Sequence, residues 1–334
     1  MKKAIIALTT IAVLFVVIEL FTFSTKGEKY PFYMIFKDFK ISPDINFCGE
    51  PVPFQSDDIR ERFDREILKN AYWQSETIMY FKIAKRWFPV IEPILKQYGL
   101  PDDLKYVSII ESGLVNVVSP AGATGFWQIM ERTGKEYGME IREEVDDRYD
   151  VEKSTHAACK YFRSAYRKFK SYTAAAASYN MGMGGLASKM DEQGVNSYYD
   201  LLLNTETSRY VFRILSYKEI FNNPKYYGYD PDEIDGYPPY DVYQVKIDST
   251  IPDLMKYALE KNSNYKILKT LNPWLRERRL TVKNGMTYTL KLPKSGIYQY
   301  EELYPSPKDS TELPNLSDTA VDLSAPSLNP TGKE

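Results

Sequence analysis

From Asp57 to Asn222 apolar residues recur with helical spacing, and no stretch alternates as a strand does. Ile59, Phe63 and Ile67 repeat at i, i+4, and an amphipathic run continues to Arg86 before Pro89 and Pro93 punctuate it. Further helical segments with short breaks fill Pro101 to Asn222. A chain patterned this way folds as packed helices, so the region reads as all-α. Composition then shifts. Asn223 to Tyr240 is rich in Pro, Gly, Tyr and Asp, the marks of a linker. Val242 to Leu292 forms a compact unit with β-like ends, Val242–Lys246 and Thr287–Leu292, around two short helical stretches. The expected architecture is mainly α, with a helical domain at 56–222, a linker at 223–241 and a small α+β module at 242–293.

The ends differ from this middle. Met1-Lys2-Lys3 precedes an apolar run from Ala4 to Phe23, interrupted only by Thr9, Thr10, Glu19 and Thr22. Basic residues before an apolar stretch make an export signal, and this one is about long enough to span a bilayer. No cysteine follows it, and Thr22-Phe23-Ser24 is a poor cleavage site, which favours an uncleaved anchor at 1–23 over a cleaved signal peptide. Either way the rest of the chain is expected outside the cytoplasm, on the periplasmic side of the inner membrane. Residues 24–55 resemble a connecting strap, and 304–334, rich in Pro, Ser, Asp and Glu, a disordered tail.

Several chemistries are excluded by what is scarce. A formal net charge of -2 over 334 residues argues against a nucleic-acid partner. One histidine and two cysteines, without metal-ligand spacing, argue against a zinc site. His156 lies in a helical stretch with no nucleophile signature beside it. Cys48 and Cys159 either pair or stay as buried thiols; spacing does not decide. The 28 tyrosines suit a sugar-binding cleft, or simply a half-exposed surface.

Glu111 is the residue with chemical promise. Pro101 with Asp102 and Asp103 starts a helix, and Gly113 stops it. At 100° per residue Glu111 falls between Leu104 and Val107, at the end of an apolar stripe. Burial and the negative end of the helix dipole both disfavour its ionised form, which suits a general acid near neutral pH. The bland alternative is a surface carboxylate at a frayed helix end. Downstream, Ser119 to Met130 is a glycine-punctuated loop running into Phe126-Trp127-Gln128-Ile129-Met130, where glycines let the backbone approach a ligand closely. Ala174 to Ala177 makes a small-residue helix that packs tightly and delivers Tyr179 and Asn180 just before Gly182.

Four ordered blocks, Glu111-Ser112, Gly122 to Met130, Ala177 to Gly182 and Glu206 to Val211, together with Asp147-Arg148-Tyr149-Asp150, resemble the soluble lytic transglycosylase family of the membrane-bound lytic murein transglycosylase D type. Glu131, where a proline often follows, and Met181, in place of alanine, are departures peripheral to the acid. The resemblance implies a lysozyme-like (goose-type) helical catalytic domain that cleaves the MurNAc-GlcNAc β-1,4 bond of peptidoglycan with closure of a 1,6-anhydro ring. It needs no cofactor and no metal. Glu111 is then the catalytic acid and base. Ser112, Gly125, Gln128 and Met130 bind substrate; Tyr179 and Asn180 support the oxocarbenium-like centre; Glu206 and Tyr210 line the cleft. For Glu206 a helix-dipole partner in the first turn is the equal alternative. Tyr243 to Lys246 and Leu271-Asn272-Pro273-Trp274-Leu275 resemble a LysM module, degenerate at Asp248-Ser249-Thr250-Ile251, which either binds glycan or only packs on the catalytic domain. Two further classes stay open: a goose-type lysozyme hydrolase using a second carboxylate such as Asp146 or Asp147, and a non-catalytic wall-binding protein.

Overall fold

The computed structural model describes residues 37–283 and 285–294, and all elements below lie in one compact unit that begins at Pro43. The apolar segment 1–23, the first part of 24–55 and the tail 304–334 lie outside the described residues. A two-residue hairpin, β1 (Asn46–Phe47) with β2 (Glu50–Pro51), precedes eight helices. These are α1 (Asp57–Tyr72), α2 (Gln74–Gln97), α3 (Lys105–Ser112), α4 (Glu131–Glu136), α5 (Val151–Phe169), α6 (Tyr172–Met181), α7 (Met183–Gln193) and α8 (Thr205–Asn222). After the linker come β3 (Val242–Ile247), α9 (Leu254–Glu260), α10 (Tyr265–Leu271) and β4 (Tyr288–Pro293). β3 and β4 pair antiparallel, from Val242 opposite Pro293 to Ile247 opposite Tyr288. The mainly helical body and small α+β module are as the patterning implies.

In the helical part α8 lies against α1, α3 and α6, while α5 lies against α2 and α6. The alanines of α6 make this possible: Ala174 to Ala177 are fully buried, so the helix sits inside the body and brings its last turn to the cleft. Trp127, Phe162 and Phe212 fill the remaining volume without exposed surface.

Three local features depart from the sequence expectation. The helical run from Asp57 breaks at Trp73, not at the prolines, and α2 continues through Pro89 and Pro93. Both prolines are exposed and four residues apart, so the carbonyls they leave unpaired face water, while Phe88, Ile91 and Leu95 bury the opposite face. The strap before α1 is built into the body: Phe47 is fully buried, and Glu50 accepts from Tyr172 N–H, Thr173 N–H and Thr173 Oγ1 to cap α6. The linker is likewise laid down on α2. Tyr237 N–H donates to Lys82 O at 2.9 Å, and Arg86 donates to Pro238 O and Tyr240 Oη at 2.9 Å each.

Among the described residues no helix is long and apolar enough to cross a membrane. Cys48 and Cys159 are unpaired thiols. Cys159 is fully buried on α5.

Candidate active site

Glu111 occupies the last turn of α3, as its flanking start and stop signals require. A 3-10 turn at Asp102–Leu104 leads into the helix, and Gly113 ends it at φ 63°, its N–H donating to Ile109 O. Only glycine fits there: besides the left-handed backbone, a Cβ would come within 2.7 Å of the Tyr80 ring.

Two helices bring polar groups to the Glu111 carboxyl. From α8, Tyr210, 2% exposed, donates its hydroxyl to Glu111 Oε1. Arg213, one turn on, donates to Ile110 O at 3.4 Å and lowers the Glu111 pKa by its charge. Glu206, Tyr210 and Arg213 stand at i, i+4 and i+7, on one face. From α6, Asn180 Nδ2 donates to Glu206 Oε1 at 3.2 Å, and its Oδ1 accepts from Thr207 Oγ1 at 2.7 Å. Glu206 is thus at once the acidic first-turn residue of α8 and a neighbour of the acid. Burial is the largest influence on Glu111 and raises its pKa; Tyr210 and Arg213 oppose it, the Glu206 charge adds to it, and the result is about 7. Burial, and next the Glu111 charge, push Tyr210 and Tyr179 well above the ordinary phenol, so both remain donors.

The glycine-punctuated loop forms the adjoining wall. Ser112 Oγ donates to Phe126 O at 2.8 Å, and Tyr179 Oη to Trp127 O at 2.7 Å. Gln128 Nε2 donates to Val117 O and Gly125 O at 3.0 and 2.8 Å. Ser112, Gln128 and Tyr179 therefore set the path of the loop backbone, while Met130 stays exposed at its end. A hollow of about 200 Å³ is lined by Gln128, Met130, Tyr179, Asn180 and Gly182, among others. Gly125 has φ 83° and touches the next segment so closely that a Cβ would lie 2.0 Å from Arg148 O.

Of the residues singled out in the sequence, Tyr210 bonds to Glu111 and Asn180 to Glu206. Gln128, Met130, Tyr179 and Asn180 share the hollow, and Ser112 and Gly125 bond to the loop, Ser112 through Phe126 O and Gly125 through Gln128 Nε2. Arg213 was not among those singled out, and Arg148 stood there only as part of its block. The spacing from Glu206 puts Arg213 on the same face of α8 but does not say what that face meets. For Arg148, lying in a block already noted, there was no signal that it reaches the loop. The two aspartates considered as second carboxylates are engaged elsewhere: Asp146 pairs with Arg148 at 2.7 Å, and Asp147 accepts from Lys153 and from Glu140 N–H. His156 sits 3.3 Å from Tyr98 Oη, away from any nucleophile arrangement. Among the described residues no group of three or more His, Cys, Asp or Glu is placed to hold a metal ion.

Comparison with known proteins supplies the context for this geometry. Residues 89–201 match the transglycosylase SLT domain, and residues 243–296 the soluble lytic transglycosylase C-terminal LysM-like domain. Membrane-bound lytic murein transglycosylase D from Escherichia coli (strain K12) is 30% identical over 200 residues, covering 56% of this chain and 43% of its own length. Its counterpart from Escherichia coli O6:H1 matches equally. The chain thus spans less than half the length of these curated relatives. Among solved structures, the 70-kDa soluble lytic transglycosylase bound to bulgecin A aligns with a TM-score of 0.39 at 19% identity, over 52% of this chain and 30% of that one. The 70-kDa soluble lytic transglycosylase from Escherichia coli gives 0.34 at 21%, over 46% of this chain and 27% of that one.

Proposed function

We propose, with the transglycosylase SLT domain of residues 89–201 as premise, that this chain is a peptidoglycan lytic transglycosylase in which Glu111 is acid and then base. One observation carries the proposal: a carboxyl held by Tyr210 at the end of α3 with its pKa raised to about 7. At neutral pH such a group is present in both forms, so it can give a proton and take one back. Protonated Glu111 gives its proton to the glycosidic oxygen, and the bond from MurNAc C1 to that oxygen breaks. The C6 hydroxyl of the same MurNAc then attacks C1, and the Glu111 carboxylate takes the hydroxyl proton. The acid is restored, a 1,6-anhydro ring closes, and no water is consumed. Tyr210 and Arg213 stabilise the carboxylate while it waits.

Ser112, Gly125, Gln128 and Tyr179 serve by shaping the loop wall against which the sugar lies, and Met130 and Asn180 face it from the rim. Glu111→Gln keeps the shape but carries no transferable proton. The variant should fold normally, still bind glycan strands and lose roughly 10²–10⁴-fold in turnover; full activity would remove Glu111 from the mechanism.

The enzyme works on the periplasmic side of the inner membrane, tethered by the apolar run 4–23, where its substrate lies. Membrane fractions should then hold the full-length chain, released by detergent but not by salt. A soluble chain starting near Thr25 would replace tether by cleaved signal.

A further inference from the structure

We propose that the LysM-like module is a positioning element for the catalytic loop, docked through Glu144 and acting through Arg148. The proposal rests on the reading of Glu111 and the loop 122–130 as the catalytic site.

A single short segment, residues 140–148, belongs to both parts. Its tight turn, closed by Arg142 N–H to Val145 O at 2.7 Å, inserts Val145 into the apolar cluster of the module beside Leu254, Leu268, Trp274 and Leu290. Val145 has no exposed surface and bridges Leu275. Backbone bonds fix the register: Asp146 N–H donates to Trp274 O, and Arg276 N–H to Glu144 O, both at 2.9 Å. The Glu144 side chain, 5% exposed, then accepts four hydrogen bonds. Arg279 Nε at 2.7 Å, Thr281 Oγ1 at 2.9 Å and Thr281 N–H at 2.7 Å come from the module; Arg142 at 2.7 Å comes from the turn itself. A carboxylate so fully engaged holds two bodies in one register, because any slip strands it unpaired.

The same segment continues into the catalytic loop. Asp146 takes both Nε and Nη2 of Arg148, leaving Nη1 to donate to Gly122 O at 3.1 Å and Ile129 O at 3.3 Å. Those carbonyls are the two ends of the loop, and Gly125 packs on Arg148 O between them. Docking and loop geometry therefore share one continuous stretch of backbone. The aromatic block that resembles a glycan-binding motif is used in docking as well: Trp274 is 2% exposed, stacked on Tyr288 with Lys153 over its ring.

The test uses the full chain with Glu144→Gln, assayed on a short soluble glycan and by amide hydrogen exchange. Positioning through the module predicts that kcat falls about tenfold with KM within twofold. Amides of 122–130 should exchange faster while those of α1 and α8 do not change. Combined with Arg148→Lys, the loss should be less than the product of the two single losses, since both act on one loop. Should Glu144→Gln fold poorly, Thr281→Val removes one of its four bonds, that from Thr281 Oγ1, from the module side. A raised KM with unchanged kcat and unchanged loop exchange would overturn the proposal and leave the module as a substrate binder. If the wild type cleaves no glycan, the functional reading fails separately, and the exchange measurement still decides whether docking orders the loop.

Discussion

A carboxyl that donates a proton and then recovers one works best when its two forms differ little in free energy at the working pH. In Glu111 withdrawal from water raises the pKa, and Tyr210 and Arg213 pull it back, to about 7. In the proposed mechanism cleavage begins from the protonated form, so kcat/KM should fall tenfold per pH unit once the pH rises past about 7. Tyr210→Phe removes a donor that favours the carboxylate. The proton is then held more tightly, and the alkaline limb of the profile should move up by roughly one to two pH units, the worth of a charge-assisted hydrogen bond. A limb that stays in place would mean that this bond does not tune the acid. Glu111 itself was legible in the sequence, because Pro101, Asp102, Asp103 and Gly113 bracket its helix and Leu104 and Val107 fix its face. Arg213 was not. Its influence depends on α8 crossing the end of α3, a contact between residues a hundred positions apart, and periodicity along one helix says nothing about what it crosses.

The loop and the helices that hold it belong to the next scale. Sequence reasoning placed a glycine-rich loop before a tryptophan-glutamine pair and took the glycines as room for a ligand. At Gly125 the room is used by the protein's own backbone, since a Cβ would stand 2.0 Å from Arg148 O at φ 83°. Gly125→Ala should therefore destabilise the fold by about 1–3 kcal/mol, seen as a lower Tm, and reduce turnover with it; unchanged stability would show that the contact relaxes freely. The prolines of α2 give the opposite lesson. Local rules end a helix at Pro89, yet exposure of both prolines hydrates the unpaired carbonyls and core packing carries the helix on to Gln97. Hairpin 46–51 carried no period to read, and only the folded chain shows Glu50 capping α6, the helix that delivers Tyr179 and Asn180.

At the scale of the whole molecule, a mainly helical body with a small α+β part was legible from periodicity and composition, because each has its own pattern. Their mutual packing was not. A tryptophan in a Leu-Asn-Pro-Trp block reads the same whether it meets a sugar or a neighbouring domain; in the fold Trp274 is buried in one apolar cluster with Val145, from the other part of the chain. In the proposed reaction one bond is made as another is broken. Acid catalysis alone also fits a hydrolase, so loss of activity in Glu111→Gln does not separate the two chemistries. Mass analysis of purified peptidoglycan digested by the full-length wild type does. Attack by the C6 hydroxyl gives muropeptides ending in 1,6-anhydro-MurNAc, each lighter by one water than its hydrolysed counterpart. Products ending in reducing MurNAc would contradict it, with water rather than the C6 hydroxyl as the nucleophile.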